Sequence, residues 1–534
     1  MRSEGPRIDD PGAMAWVGDI PARWARERPD SCAIVVPELG HQMSYAALAA
    51  ATDRFVEVMR DYGLREGDRI AYLGRNSALF FVCLFGAIAA GLVLVPLNWR
   101  CAPPELAFML EDSQTALVIS DAAFLPALGQ AVATVPALSH AIRLKTEGPG
   151  SLRHRLAEPP SSHQGVPHDP ERICLLMYTS GTTGRPKGVM LTHAALSAAR
   201  HAEIVSPDWE DWTGQDVILS ALPNFHIGGM SWMLIGLIRG LTCVLTADAA
   251  VPNLLALIDT YHVTRTFIVP TVLRAMLDLL RETGRRPPGI RVITYGASSI
   301  SPALLKEAIT VIGCRFAQYF GMTEAAGTVT FLSPRDHDLA RPHLLASVGR
   351  PQCGMAVEIR DETGALLPSG RPGEIWVRTP ALMAGYWRQP EATRTAIEGG
   401  WYRTGDGGVL DADGYLSITD RLKDMIISGG ENIYPVQIEN VLRQHEAVRD
   451  AAVVGVADER WGERVVAMVE RNADVLVDES ELIAYTQLQL ARYKCPKSIR
   501  FVEALPRTAM GKVQRAVVRH MMSGTTDTTG DCPC

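Results

Sequence analysis

The 534-residue chain has no CxxC pair among its ten cysteines, no excess of basic over acidic residues and no periodic glycine. Each absence excludes a class. Scattered single cysteines, most in apolar surroundings such as Phe81-Val82-Cys83-Leu84-Phe85, read as free thiols of a reducing compartment, the cytoplasm. Only Cys532-Pro533-Cys534 brings two thiols close together, in a tail rich in Ser, Thr, Gly and Asp. With 52 Lys and Arg against 59 Asp and Glu, the net charge of −7 gives no basic stripe for nucleic acid. It still permits anionic ligands held by a few local residues. Met1 to Pro11 is charged and lacks the apolar core of an export signal. One uncharged run, Asn76 to Trp99, is 24 residues long and has the length of a membrane span. Gly86, Gly91 and Pro96 interrupt it, so the expectation is a core helix closed by Gly91 and then a short buried strand.

What is present is ordinary globular composition, 47% hydrophobic and 21% charged, enough apolar material to offset the entropy of ordering. The length fits two to four domains. Up to about residue 420, short β-branched runs (Arg69–Leu73, Leu117–Ser120, Thr266–Pro270, Arg291–Gly296) alternate with amphipathic stretches such as Tyr45–Arg60 and Thr271–Glu282. That alternation predicts layered α/β subdomains around a mainly parallel sheet. From about 346 to 420, Val357–Arg360, the Asp361–Gly364 turn and Glu374–Val377 predict a small antiparallel β subdomain. Lys145 to Pro170 reads as a surface connection. After Arg421 the pattern restarts as a compact α+β unit with helices at Pro435–His445 and Glu479–Leu490 and strands at Asp450–Val456 and Val465–Glu470. The expected division is 1–422, 423–520 and a flexible tail, 521–534.

The most informative segment is Tyr178-Thr-Ser-Gly-Thr-Thr-Gly-Arg-Pro-Lys-Gly188, between the strand-like Ile173–Met177 and a helix near His193. A Gly- and hydroxyl-rich turn in that position can wrap phosphate oxygens with backbone N–H groups and hydroxyls, and Lys187 adds a cation. It is neither the nucleotide loop GxxxxGK[ST] nor a GxGxxG dinucleotide loop.

The segment resembles the phosphate-binding signature of the adenylate-forming superfamily, which includes acyl-CoA synthetases, peptide-synthetase adenylation domains and beetle luciferases. Seven further signatures follow in order: Leu222–Gly228, Tyr295–Ser299, Tyr319–Glu324, Trp401–Asp406, Asp420–Asp424, Ser428–Pro435 and Pro506–Arg515. Together they span nearly the whole chain, which is identified as a member of that superfamily. The resemblance implies activation of a carboxylic acid by attack on the α-phosphate of ATP, giving an acyl-adenylate and pyrophosphate. It further implies Mg²⁺ as cofactor and coenzyme A as co-substrate. Because two anions must meet, cations and aimed donors are the expected catalysts.

Carried over residue by residue, the resemblance assigns Thr179, Ser180, Gly181, Thr182, Thr183, Gly184 and Lys187 to the β- and γ-phosphates. Thr323 falls to the α-phosphate and Glu324 to Mg²⁺. Gly296, Ala297, Ser298 and the Phe320 ring sandwich adenine, with Phe320 standing where many relatives have Tyr. Asp406 and Arg421 take the ribose. Lys512 is the cation of adenylate formation. Lys423 is the hinge about which the small domain turns, and Gly429 and Gly430 then line the pantetheine tunnel, where a Cβ would obstruct the thiol arm.

The acyl pocket is expected around His226, Gly228, Gly229, Met230, Tyr295 and Gly321. His226 serves as gate or carboxylate neighbour. It occupies a place where amino-acid-activating relatives carry Asp, which counts against an amino acid. The small glycines with Met230 and Trp232 suit an apolar tail, and Asp420–Pro435 is most similar to bacterial medium- and long-chain fatty acyl-CoA synthetases. Aryl-acid ligases share nearly all these motifs, and an enzyme loading a carrier-protein thiol stays open as well. Composition and spacing leave the oligomeric state undetermined.

Overall fold

A computed structural model of the chain describes residues 16–136, 138, 141–159, 166–179, 186–206, 211–285, 289–298, 300–421, 424–428, 431–458, 461–472, 475–490, 492–508 and 511–523; for 420, 421, 427, 431 and 432 it describes the backbone. The phosphate-loop residues Ser180 to Gly184, and Lys423, Gly429, Gly430 and Cys532–Cys534, lie outside the described residues.

Among the described residues, the strands form four sheets. In the first, parallel strands Cys32–Val36, Thr242–Leu245, Val217–Ser220, Arg265–Ile268, Val292–Gly296 and Arg315–Met322 lie side by side. Antiparallel His41–Ser44 closes one edge, and Gly327–Leu332 with Arg350–Pro351 closes the other. The second sheet runs from Gly385–Tyr386 through Lys187–Thr192, Ile173–Thr179, Val93–Pro96, Arg69–Leu73 and Thr115–Ser120 to Ile142–Lys145. One large apolar core joins these two sheets, while helices Val251–Tyr261, Pro270–Thr283 and Pro302–Ile312 cover the outer face of the first. The α/β expectation holds, with strands buried on both faces as parallel sheets require.

The uncharged run folds as the helix Ala78–Ala90 and the strand Val93–Pro96, with Gly91 at φ 71° closing the helix. No helix among the described residues is long and apolar enough to cross a membrane. The third sheet is antiparallel, made of Ala356–Arg360, Gly373–Arg378, Trp401–Leu410, Ile397–Glu398 and Leu416–Arg421. The stretch assigned to that subdomain gives up two pieces: Arg350–Pro351 joins the first sheet and Gly385–Tyr386 the second. Strands of two residues carry no periodicity, so hydrophobic patterning has nothing to register there.

The 145–170 connection is not wholly irregular. Its helix Leu152–Leu156 is capped by Ser151, and Arg155 pairs with Asp61 at 2.7 Å. The C-terminal unit packs two small cores on its sheet of Glu431–Ile433, Ile426–Ser428, Gly462–Arg471, Val448–Asp458 and Ser498–Val502.

Candidate active site

The strands Ile173–Thr179 and Lys187–Thr192 pair so that Thr179 faces Lys187 across the base of the glycine-rich turn. The Lys187 ammonium lies 5.0 Å from the ring centre of Tyr386, which the pairing Tyr386↔Val189 brings alongside. The Tyr386 hydroxyl donates to Oε1 of Glu324 at 3.1 Å and lies 3.4 Å from the Tyr402 hydroxyl. Burial, and then the Glu324 carboxylate, hold both phenols well above the ordinary range, so they stay protonated donors. Glu324 itself sits in the one-turn helix Thr323–Ala325, closed by Ala326 at φ 52°, and its carbonyl accepts from the Met383 N–H at 2.8 Å. A cation, two phenols and a carboxylate thus converge from four separated segments.

These residues fit a hard divalent cation in one respect. Among the described residues no group of three or more His, Cys, Asp or Glu can hold a metal. A Mg²⁺ held by Glu324 would complete its coordination with phosphates and water, the usual habit of that ion.

Next to this cluster, Gly296 and Tyr319 are register partners, which sets Phe320 beside the end of the neighbouring strand. A Cβ on Gly296 would stand 2.3 Å from the Tyr319 carbonyl oxygen. The strand end thus tolerates no side chain, and Ala297 turns away from it at φ 64°. Asp406 and Arg421 are register partners across the strands Trp401–Leu410 and Leu416–Arg421. The two positions assigned to the ribose are therefore adjacent in the sheet.

At the expected acyl end, His226 occupies the N-cap position of the helix Ile227–Ile238, with no side-chain capping bond, and lies 4.5 Å, ring to ring, from Phe225. Burial, then the charges of Lys512 and Arg100, push its imidazole down to about 4, so it is neutral near pH 7. Asn76 fixes the preceding turn: its amide donates to the carbonyls of Leu222 and Thr246, both at 2.9 Å, and accepts from the Asn224 N–H at 2.9 Å. Sequence reading missed Asn76, Tyr386 and Tyr402. Tyr402 lay inside a quoted motif, whereas Asn76 only opened the uncharged run.

The glycines of the expected pocket separate by cause. A Cβ on Gly228 would meet nothing within 4 Å, whereas on Gly229 it would stand 2.4 Å from the Pro223 carbonyl oxygen and on Gly321 2.0 Å from that of Gly327. Only Gly228 leaves open room; the other two are glycines because backbones touch. Two of the expected pocket residues lie within the core. Tyr295 and Met230 are both 0% exposed. Strand alternation turns Tyr295 into the helix-covered core, with its hydroxyl 3.0 Å from Nε2 of His337 and 3.2 Å from Oε1 of Gln318. Met230 packs in the core between the two large sheets. There Trp232, Phe267 and Tyr319 form a cluster of rings 5.7 to 6.3 Å apart.

The C-terminal unit meets this region through the turn Arg507–Val513. The Gly511 N–H donates to the Thr508 carbonyl at 2.9 Å, and the Thr508 N–H to the Lys512 carbonyl at 2.7 Å. Arg507, Thr508 and Gly511 close one side of a cavity of about 480 Å³. Its other walls include Asn76, Trp99, Arg100, Leu222, Leu254, Phe267 and Val272. The turn carrying Lys512 therefore lies beside the segment that leads to His226, close enough for the Lys512 charge to act on the imidazole.

The profile of the AMP-binding enzyme family matches residues 21–387, and that of the AMP-binding enzyme C-terminal domain matches 437–512. The chain is 37% identical to the fatty acid–[acyl-carrier-protein] ligase ScoC of Streptomyces coeruleorubidus, over 94% of this chain and 95% of that one. It is 38% identical to a feruloyl-CoA synthase of an Amycolatopsis species, over 94% and 98% of the two chains. Against the long-chain-fatty-acid–CoA ligase FadD13 of Mycobacterium tuberculosis the identity is 34%, over 96% and 99%. The crystal structure of ATP-bound MatB from Rhodopseudomonas palustris superposes with a TM-score of 0.86 at 30% identity, covering 95% of this chain and 99% of that one. The chain belongs to the AMP-binding enzyme family, the adenylate-forming superfamily, in its acyl-CoA synthetase branch.

Proposed function

We propose that the chain is an ATP- and Mg²⁺-dependent acid–CoA ligase acting on a medium- or long-chain fatty acid in the cytoplasm. The acid's carboxylate oxygen attacks the α-phosphorus of ATP, the bond to the β-phosphate oxygen breaks, and acyl-AMP and pyrophosphate result. The CoA thiolate then attacks the acyl carbonyl, and AMP leaves with the electron pair of the broken C–O bond. The observation that carries the reading is the convergence of Lys187, Tyr386, Glu324 and Tyr402, together with a turn that brings the Lys512 charge to His226.

Each residue has a task in this reading. Lys187, with Thr179 and the turn it closes, binds the outer phosphates. Thr323 donates to the α-phosphate, and Lys512 neutralises charge that develops as pyrophosphate departs. Glu324 holds Mg²⁺, which would screen the phosphate charges from the incoming carboxylate. Asp406 and Arg421 hold the ribose, and Gly296 to Ser298 with Phe320 hold adenine. His226, kept neutral, stands at the carboxylate without adding a competing cation. After adenylation, residues 423–520 turn about Lys423, withdraw Lys512 and bring Gly429 and Gly430 to the thiol channel.

Two readings have specific support. Similarity to feruloyl-CoA synthase favours an aryl acid. Similarity to ScoC favours a carrier-protein thiol as acceptor. One experiment separates them all: a panel of aliphatic and aromatic acids, scored for pyrophosphate release and for thioester with free CoA or with a phosphopantetheinylated carrier. Fatty acyl-CoA formation is expected. Absence of pyrophosphate release with every acid would overturn the enzyme reading, and adenylate without CoA thioester would move the acceptor to the carrier.

A further inference from the structure

The strand that ends in Asp406 does not run straight past its neighbour. Glu374 pairs with Gly407 and Trp376 with Arg403, so three residues, Thr404 to Asp406, stand opposite the single residue Ile375. A bulge of this kind re-aims a side chain at the expense of ladder hydrogen bonds. Here the lost bonds are replaced from one side. The Gly405 N–H donates to Oε1 of Glu374 at 3.3 Å, with Gly405 held at φ 69°. Oε2 of the same carboxylate accepts from Nη2 of Arg403 at 2.9 Å and from Nε1 of Trp376 at 3.1 Å. The Thr404 hydroxyl donates to the Ile375 carbonyl at 2.8 Å and accepts from the Asp406 N–H at 3.0 Å. Glu374 is 7% exposed, so its charge is desolvated and these donors are what compensate it.

We propose that Glu374 is a positioning residue for nucleotide binding: it pins the bulge at Gly405 and thereby fixes the direction in which Asp406 presents its carboxylate. The proposal rests on Asp406 as the ribose ligand. A carboxylate recognises a pair of hydroxyls only when both oxygens are held in place, so loosening the bulge costs binding to the ribose and leaves contacts to base and phosphates alone. Glu374 touches no nucleotide itself. Its effect is transmitted by one backbone N–H.

The test is calorimetric binding of MgATP and of its 2′-deoxy analogue to the full chain. Glu374→Ala should weaken ATP about 10- to 100-fold, the range for losing hydrogen bonds to a charged group, and weaken the deoxy analogue less. The preference for ATP then narrows. Glu374→Gln keeps size but offers one acceptor oxygen to donors on two sides, so an intermediate narrowing is expected and serves if the alanine variant does not fold. Trp376→Phe removes the indole donor and some buried ring area but leaves the bond from Gly405 to Glu374, and should keep the preference. Equal weakening of both nucleotides, or an unchanged preference in both Glu374 variants, overturns the positioning role. Asp406→Ala separates the two levels. An unchanged preference there overturns the ribose assignment, whereas a lost preference there with normal Glu374 variants overturns only the role of Glu374.

Discussion

A Cβ placed on Gly511 would come 2.8 Å from Oγ1 of Thr271, so the turn that carries Lys512 docks against the helix Pro270–Thr283 with no room for a side chain. Gly511 is also left-handed, at φ 75°. An L-residue pays about 1–2 kcal/mol for that backbone in any orientation of the small unit, but the collision with Thr271 exists only when the unit is docked. Gly511→Val should therefore slow adenylate formation more than tenfold. Thioester formation from supplied acyl-adenylate should change far less. Pyrophosphate release and thioester yield, measured separately, check this; equal loss of both would show that the contact does not select the adenylating orientation.

How much of this was readable beforehand follows from the kind of signal each residue carries. Apolar runs bounded by turns announce strands: Arg69–Leu73 returns with the expected limits, and Thr266–Pro270 and Arg291–Gly296 return as Arg265–Ile268 and Val292–Gly296. Asp406 and Glu324 announce themselves through the order of motifs around them. Tyr386 and Glu374 do not. Tyr386 acts by leaving its own subdomain for a foreign sheet edge, and Glu374 by bonding a residue 31 positions away. Such tertiary choices are made by packing, which period and composition do not record. At Gly229 and Gly321 small residues suggested room, and the structure adds a second reason for glycine, close backbone contact.

Lys512 and His226 are coupled by charge. Burial is the larger cause of the imidazole's fall to about 4, and Lys512 is the next. Lys512→Ala should raise the His226 midpoint while leaving it below the ordinary 6.5, because burial remains. A titration of the His226 ring by NMR in both proteins reads this directly, and an identical midpoint would remove Lys512 from its surroundings. The sign for stability follows. Between the two values the unfolded chain binds more protons, so this contribution to stability is lost as pH falls from 6.5 toward about 4. The same variant should slow adenylate formation by about 10²–10³, the usual cost of losing one such stabiliser.

Tyr386 bears on Glu324 through one hydrogen bond of 3.1 Å. Its phenol stays protonated, so the bond has a fixed direction and orients the carboxylate proposed to hold Mg²⁺. Tyr386→Phe should raise the Mg²⁺ concentration for half-maximal pyrophosphate release about fivefold, in line with a net hydrogen bond worth about 1 kcal/mol. The KM for the acid should be unaffected. A magnesium titration of both proteins decides it, and coincident curves would assign Tyr386 to packing alone.

Among the described residues, the charges buried most completely are structural. Arg200 and Glu203 are both 0% exposed, paired at 2.5 and 2.6 Å, and Arg200 Nη1 also donates to Oγ of Ser231 at 2.8 Å on the helix that begins behind His226. A Cβ on Gly327, just past the Glu324 turn, would come 2.7 Å from Arg200 Nη2. The pair thus packs against the acyl-side helix and the strand after the metal-site turn. Burial lifts the Glu203 carboxyl above the usual range even with Arg200 beside it, and removing the guanidinium lifts it further. Arg200→Met should cost about 3–5 kcal/mol, because it strands a buried carboxylate. Replacing both residues, Arg200→Met with Glu203→Leu, should recover much of that loss, since a buried pair and a well-packed apolar substitute are often equivalent. Denaturant unfolding of the single and double variants tests the claim. A double variant as unstable as the two single losses added together would show that the pair contributes more than mutual neutralisation.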